Sequence, residues 1–136
     1  MTLFVDTSVW SLALRRDNVP EIVEVDALRR ALESGESIVT TGLVLQELLQ
    51  GFAGPRARKD IIERFAALPL LAPERQDHID AAELRNRCRR AGLQIATIDA
   101  LLAQLCIRHE LILLTTDQDF VHAAAHCPLK VWKPAS

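Results

Sequence analysis

Leu3-Phe4-Val5-Asp6-Thr7-Ser8-Val9-Trp10 opens the chain with a short apolar run that ends on an acid. Leu111-Ile112-Leu113-Leu114-Thr115-Thr116-Asp117-Gln118-Asp119-Phe120 repeats that arrangement near the other end. Short continuous apolar runs are how strands read when both faces of a parallel sheet are covered. Ligands of open parallel sheets bind outside the carboxyl ends of the strands, so Asp6, Asp117 and Asp119 are expected along one edge.

The stretch between these two runs alternates strand and helix. Periodicity predicts a helix over 8–15 and a second from Pro20, a residue suited to a first turn, with Ile22, Val25, Leu28 and Leu32 on one stripe and Gly35 at its end. A strand is expected over 37–40, a helix over 43–52, and another from the Gly54-Pro55 break to about Ala67. Pro69 and Pro73 bracket a small strand over 70–72. A long helix over 77–91 puts Ala81, Leu84, Cys88 and Ala91 on a buried stripe, and Gly92 ends it. A helix over 98–109 turns Leu101, Leu102, Leu105 and Cys106 inward; a short helix follows Asp119, and residues 130–132 read as an edge strand. Such alternation implies an α/β fold around a mostly parallel sheet, with residues 1–136 as one domain.

Composition narrows the function classes. The chain has 136 residues, 49% hydrophobic and 25% charged, which is ordinary globular composition and excludes disordered and coiled-coil arrays. No apolar run approaches the roughly 18–20 residues that span a bilayer, and Asp6 interrupts the opening run before a leader could form. Three scattered cysteines (Cys88, Cys106, Cys127) suit reduced thiols and a cytoplasmic protein. The net charge of −2 is not the usual footprint of a nucleic-acid binder. Yet 13 of the 16 cations are arginines, suited to phosphate, while aromatics are 4% with no Tyr, so base stacking is poorly supplied.

Two further acids sit among apolar neighbours. Glu47 lies within Leu43-Val44-Leu45-Gln46-Glu47-Leu48-Leu49, and Asp99 falls between Ile98 and Ala100-Leu101-Leu102. A buried carboxylate is costly unless paired or bound to a metal. A hard divalent cation, Mg²⁺ or Mn²⁺, prefers oxygen ligands and would turn mutual repulsion into attraction. Each acid also has a plain structural reading: Asp6 and Asp99 as helix caps, Glu47 paired with an arginine, Asp117 and Asp119 as turn acids.

Val5-Asp6-Thr7-Ser8-Val9-Trp10, the Glu47 helix, Ile98-Asp99-Ala100 and Leu114-Thr115-Thr116-Asp117-Gln118-Asp119-Phe120 together resemble a PIN domain, and more narrowly the VapC toxins of bacterial VapBC toxin–antitoxin systems. The resemblance runs from Leu3 to Trp132 in the family's order. It implies a PIN-like three-layer fold with helices on both faces of the sheet, and metal-dependent cleavage of RNA, tRNA being a common target. It matches Asp6, Glu47, Asp99 and Asp117 to the family's catalytic acidic quartet, Asp119 to its frequent fifth acid as a further metal ligand, and Thr115 to a supporting hydroxyl. It further implies a cognate VapB-type antitoxin and a homodimer, with no membrane. With the five acids set aside, 13 acids face 16 cations, a formal +3 for the remaining surface. A catalytically silent PIN-like module that binds RNA or a protein partner is the alternative.

Other patterns carry less. His122 and His126 have the i, i+4 spacing of a zinc pair but lack the adjoining glutamate that would act as base. Cys127 beside His126 is a poor geometry for a nucleophile and its base. A haloacid-dehalogenase-type phosphotransferase needs a second Asp two positions after the first, where this chain has Ser8. Arg85, Arg87, Arg89 and Arg90 read either as an RNA track or as a solvated face offsetting Asp77, Asp80 and Glu83, and Arg15, Arg16, Arg56, Arg58 and Lys59 are equally open.

Overall fold

A computed structural model describes residues 2–15 and 17–135; Arg16 lies outside the described residues. Five strands form one sheet: β1 (Leu3–Val5), β2 (Ile38–Thr41), β3 (Leu70–Leu71), β4 (Ile112–Leu114) and β5 (Lys130–Val131). Their order is β3-β2-β1-β4-β5, and every pair is parallel. Leu3, Phe4 and Val5 pair with Ile112, Leu113 and Leu114, while Leu3 and Phe4 pair with Ile38 and Val39 on the other side. β1 is therefore central and all three of its residues are buried, which explains its unbroken apolar reading.

The helices are α1 (Thr7–Ala13), α2 (Val23–Ser34), α3 (Gly42–Gly51), α4 (Pro55–Phe65), α5 (Arg75–Arg90), α6 (Thr97–Arg108) and α7 (Gln118–Ala123). The strand order reverses at β1: β2 and β3 lie to one side, β4 and β5 to the other. Right-handed crossovers then put α1–α4 on one face and α5–α7 on the other. The helix contacts follow that division, with α1 against α2 and α3, α3 against α4, and α5 against α6. The reversal is a topological switch point, where the connections leave β1 and β4 in opposite directions and open a crevice at their carboxyl ends.

Most expected elements fall where the patterns put them, and the exceptions have physical causes. α2 starts at Val23 rather than Pro20, because Ile22 is still extended (φ −116°, ψ 155°). Gly35 takes the left-handed conformation (φ 72°) that ends α2, and Gly92 (φ 83°) does the same just beyond α5. Leu32 and Ala91, assigned above to buried stripes, are exposed because each lies in or just past a last helical turn that overhangs the core. Trp132 lies past β5, but its N–H still reaches the Leu113 carbonyl at 2.8 Å. No helix of the described residues is long and apolar enough to cross a membrane.

Asp77 overturns its reading as a solvated charge. It is 1% exposed, and Arg108 grips it with two parallel bonds, Nε to Oδ1 at 2.7 Å and Nη2 to Oδ2 at 2.8 Å. Oδ2 also accepts the Glu74 N–H at 2.8 Å, closing a capping box at the start of α5. Burial pushes the Asp77 carboxyl up, but the Arg108 and Glu74 hydrogen bonds and the Arg108 charge outweigh it and hold it below its ordinary 3.8. A depressed carboxyl stabilises the fold above its ordinary range, and that contribution is lost as the pH falls through the depressed value. Arg108→Ala would leave a buried carboxylate uncompensated, so its urea midpoint should fall clearly below wild type at pH 7. Arg89→Ala, on an exposed position of α5, should stay within about 0.5 kcal/mol of wild type in the same measurement.

Candidate active site

The crevice at the switch point is built from the ends of β1 and β4. Asp6 follows β1 directly and is 6% exposed. Its N–H donates to the Leu114 carbonyl at 2.9 Å, and its own carbonyl accepts the Val9 and Trp10 N–H groups at 3.1 and 3.2 Å. Asp6 holds the N-cap position of α1, yet its side chain makes no cap hydrogen bond. Its Oδ2 instead accepts two hydroxyls, Ser8 and Thr115, each at 2.8 Å. Oδ1 accepts no hydrogen bond among the described residues and remains available to a ligand.

The loop after β4 supplies the facing wall. Thr115, 6% exposed, accepts the Asp117 N–H on Oγ1 at 3.0 Å, and Ser8 Oγ accepts the Thr116 N–H at 3.1 Å. Asp117 caps α7, its Oδ1 accepting the Asp119 N–H at 2.9 Å, so the turn-acid reading of Asp117 holds alongside the site reading. Glu47 sits on the exposed side of α3, where Thr7 Oγ1 donates to its Oε1 at 3.3 Å. It has no arginine partner among the described residues. Asp99 lies in the first turn of α6, inside the helix rather than at its cap.

Electrostatics gathers these acids into one site. Burial raises the Asp99 carboxyl, and the charges of Asp6, Asp117, Glu47 and Asp119 raise it further, to about 6 from an ordinary 3.8. Asp99 thus feels the other four acids singled out from the sequence. At about 4 Å two bare carboxylates repel by about 4 kcal/mol with an effective dielectric near 20, which opposes closer approach. Among the described residues, no three Asp, Glu, His or Cys side chains stand together at metal-holding distance. The donor set is nevertheless all oxygen, with Asp6 Oδ1 unengaged, and its chemistry fits a hard divalent cation.

The sequence singled out the five acids, and the family resemblance Thr115, but neither pointed to Ser8, whose hydroxyl shares Asp6 Oδ2 with Thr115. The available signal was its position, two residues after Asp6 in the first turn of α1, where a small hydroxyl can reach back to the strand end. Arg85 belongs to neither reading given above: its Nε donates to the Ile95 carbonyl at 2.8 Å and ties α5 to the loop before α6. Arg87 reaches the His126 carbonyl at 3.4 Å, and Arg56, Arg58 and Lys59 are exposed on α4. α7 ends at Ala123, so His122 and His126 do not share a helix face. Burial pushes the Cys127 thiol up, against thiolate chemistry, and all three cysteines are free.

Residues 3–126 match the sequence profile of the PIN domain. Among solved structures, FitAcB from Neisseria gonorrhoeae is 24% identical with a TM-score of 0.70, over 98% of this chain and 97% of that one. VapBC2 from Rickettsia felis, bound to a DNA fragment from its promoter, is 19% identical with a TM-score of 0.74, over 97% of this chain and 98% of the other. VapC20 from Mycobacterium tuberculosis, a sarcin–ricin loop cleaving toxin, is 19% identical with a TM-score of 0.69, over 93% and 98%. At these identities the likeness is one of fold.

The raised Asp99 carboxyl sets a pH dependence for the metal-free chain. The folded state holds a proton on Asp99 up to about pH 6, whereas the unfolded chain releases it near 3.8. Stability from this group is therefore complete below the lower value and lost as the pH rises through the higher one. In EDTA, Asp99→Asn should raise the unfolding midpoint at pH 7.5, and the gain should be smaller at pH 4.5 and vanish only below about 3.8. A gain independent of pH would mean that Asp99 does not feel its neighbours.

Proposed function

The chain belongs to the PIN domain family, and from that premise we propose that it is a metal-dependent endoribonuclease, the toxin of a type II toxin–antitoxin pair. The observation that carries this reading is the convergence of five carboxylates at the switch point, registered in the Asp99 carboxyl lying near 6 under the charges of the other four. The fold shared with toxins of VapBC and FitAB systems supports it. Residues 1–136 act as one nuclease domain, cytoplasmic, with an RNA substrate, a cognate VapB-type antitoxin and a second copy of the chain as partners. tRNA belongs among the first substrates to test.

Asp6, Asp99 and Asp117 are the residues that would hold Mg²⁺ or Mn²⁺, with Asp119 assisting at a second ion. Bound there, the ion supplies Lewis-acid chemistry, lowering the pKa of water and neutralising charge on the phosphate. Asp6 presents one oxygen, because the other is taken by Ser8 and Thr115. Glu47 has a single weak tie to Thr7 and stands free to orient the attacking water or to bind metal itself. Thr115 braces both Asp6 and the Asp117 backbone, so one side chain sets the spacing of two acids.

The end groups of the product separate this chemistry from the other common route. Attack by the neighbouring 2′-hydroxyl needs a base, typically histidine, and leaves a 2′,3′-cyclic phosphate. His78, His109, His122 and His126 make no hydrogen bond to any of the five acids among the described residues. Water attacking phosphorus in line breaks the bond to the 3′ oxygen and leaves a 5′-phosphate, one proton of the water going by way of solvent to the departing oxygen to give a free 3′-hydroxyl. RNA ends mapped after cleavage should carry those groups, EDTA should stop the reaction, and Glu47→Gln should slow it about 100-fold or more. Cyclic phosphate ends, or full activity in EDTA, would sink the proposed chemistry, and no cleavage at all with Mg²⁺ or Mn²⁺ present would leave the silent binding module.

A further inference from the structure

Ser8 enters the site so far only as one of two hydroxyls on Asp6 Oδ2, yet its own surroundings are specific. Its Oγ lies 2.8 Å from Asp6 Oδ2, 3.1 Å from the Thr116 N–H and 3.4 Å from Thr115 Oγ1. An amide N–H can only donate, so Ser8 Oγ must accept from Thr116, and its own proton is free to go to the carboxylate. Thr115 is arranged in the same way, accepting the Asp117 N–H at 3.0 Å and donating to Asp6 Oδ2 at 2.8 Å. With both protons committed, the Ser8–Thr115 approach is a contact between oxygens that each carry a different bond. Two amides of the β4–α7 loop thus polarise two hydroxyls, and both hydroxyls converge on one oxygen of Asp6.

We infer that Ser8 is a positioning residue for Asp6: with Thr115 it occupies Oδ2, fixes the carboxylate's rotation and leaves Oδ1 as the single oxygen offered to a divalent cation. The inference rests on the reading of Asp6 as a metal ligand. A carboxylate free to rotate could offer both oxygens or neither, whereas one pinned on a single oxygen keeps the other at a set height above the crevice. Ser8 is doubly effective because its second bond, to Thr116, fastens the loop that carries Asp117 and Asp119.

The test is Mn²⁺ affinity, read from the free-ion signal in electron paramagnetic resonance titrations without RNA. Removal of an outer partner of a metal ligand weakens binding by about 10–100-fold, so Ser8→Ala should raise the Mn²⁺ Kd by that factor. Ser8→Thr, which keeps the hydroxyl, should stay close to wild type, and Ser8→Cys, a weaker donor, should fall between. The Thr–Cys comparison decides the matter should Ser8→Ala fail to fold. Wild-type affinity in Ser8→Ala, with binding lost in Asp6→Asn, would overturn the inference and leave the proposed function standing. Equal loss in folded Ser8→Thr and Ser8→Ala would also overturn it, since packing rather than the hydrogen bond would then be at work. Full Mn²⁺ binding by Asp6→Asn would overturn both the inference and the ligand reading beneath it.

Discussion

The pairing of β1 with β4 is the constraint on which the site depends. Val5 opposes Leu114, and the next residue still donates its N–H to the Leu114 carbonyl, so the ladder runs directly into Asp6. Beyond it, hydroxyls take over from amides: Ser8 and Thr115 join the two chain segments through Asp6 Oδ2. A slip of one residue would carry Asp6 about 3.3 Å along the strand and turn its side chain to the other face. The charges do not favour this arrangement, since burial and then the charges of the other four acids push the Asp99 carboxyl up to about 6. The apolar strands oppose that cost: Phe4, Val5, Leu113 and Leu114 are all fully buried, and a buried side chain of this kind contributes about 1.5–3 kcal/mol.

Asp99 reaches the crevice by a different device. It lies at the start of α6, and α5 and α6 form an antiparallel pair tied at both ends. Arg85 holds the Ile95 carbonyl just before α6 begins, and Arg108 holds buried Asp77 where α6 ends. Neither tie touches the acids. Together they fix where the first turn of α6 sits, and hence how close Asp99 comes to Asp6 and Asp117. The buried ion pair is weak evidence for stability as such, because desolvation consumes much of the attraction. Its two parallel bonds and its added Glu74 N–H fix orientation, which a site made of like charges needs more than raw stability.

The strands and the acids were legible in the sequence because both announce themselves by position. An apolar run ending on an acid marks a strand edge, and Asp6 and Asp117 needed only that rule. Glu47 stood out as an acid among leucines, although α3 turns it to solvent and its neighbours Val44 and Leu48 to the core. Ser8 and Asp77 were illegible for a common reason. Their importance lies in hydrogen bonds to residues distant in the chain, Thr116 and Arg108, and neither helical periodicity nor composition carries that information. Asp77 in particular has the spacing of a surface charge, and only the position of α6 makes it a buried one. Arg85 was misread in the same way, because a carbonyl ten residues away leaves no mark on the helix that carries the arginine.

The arginines explain how a chain of net charge −2 can suit a polyanion. Screening limits an exposed charge to about 8–10 Å at physiological salt, so a phosphate responds to the nearest groups and not to the total. Arg85 and Arg108 are spent on internal ties, and Arg29 and Arg64 face Asp26 and Asp60 on their own helices. Arg30, Arg56, Arg58, Arg75, Arg89 and Arg90 make no ion pair or side-chain hydrogen bond among the described residues, and all are exposed. The acids divide likewise, because five of the 18 are drawn into the crevice, where a bound divalent cation would cancel part of their charge. Whole-chain charge averages a negative crevice with cationic helix faces. Attraction for a phosphate backbone depends on their separation, which the sheet topology produces by collecting acids at strand ends and leaving arginines on the helices.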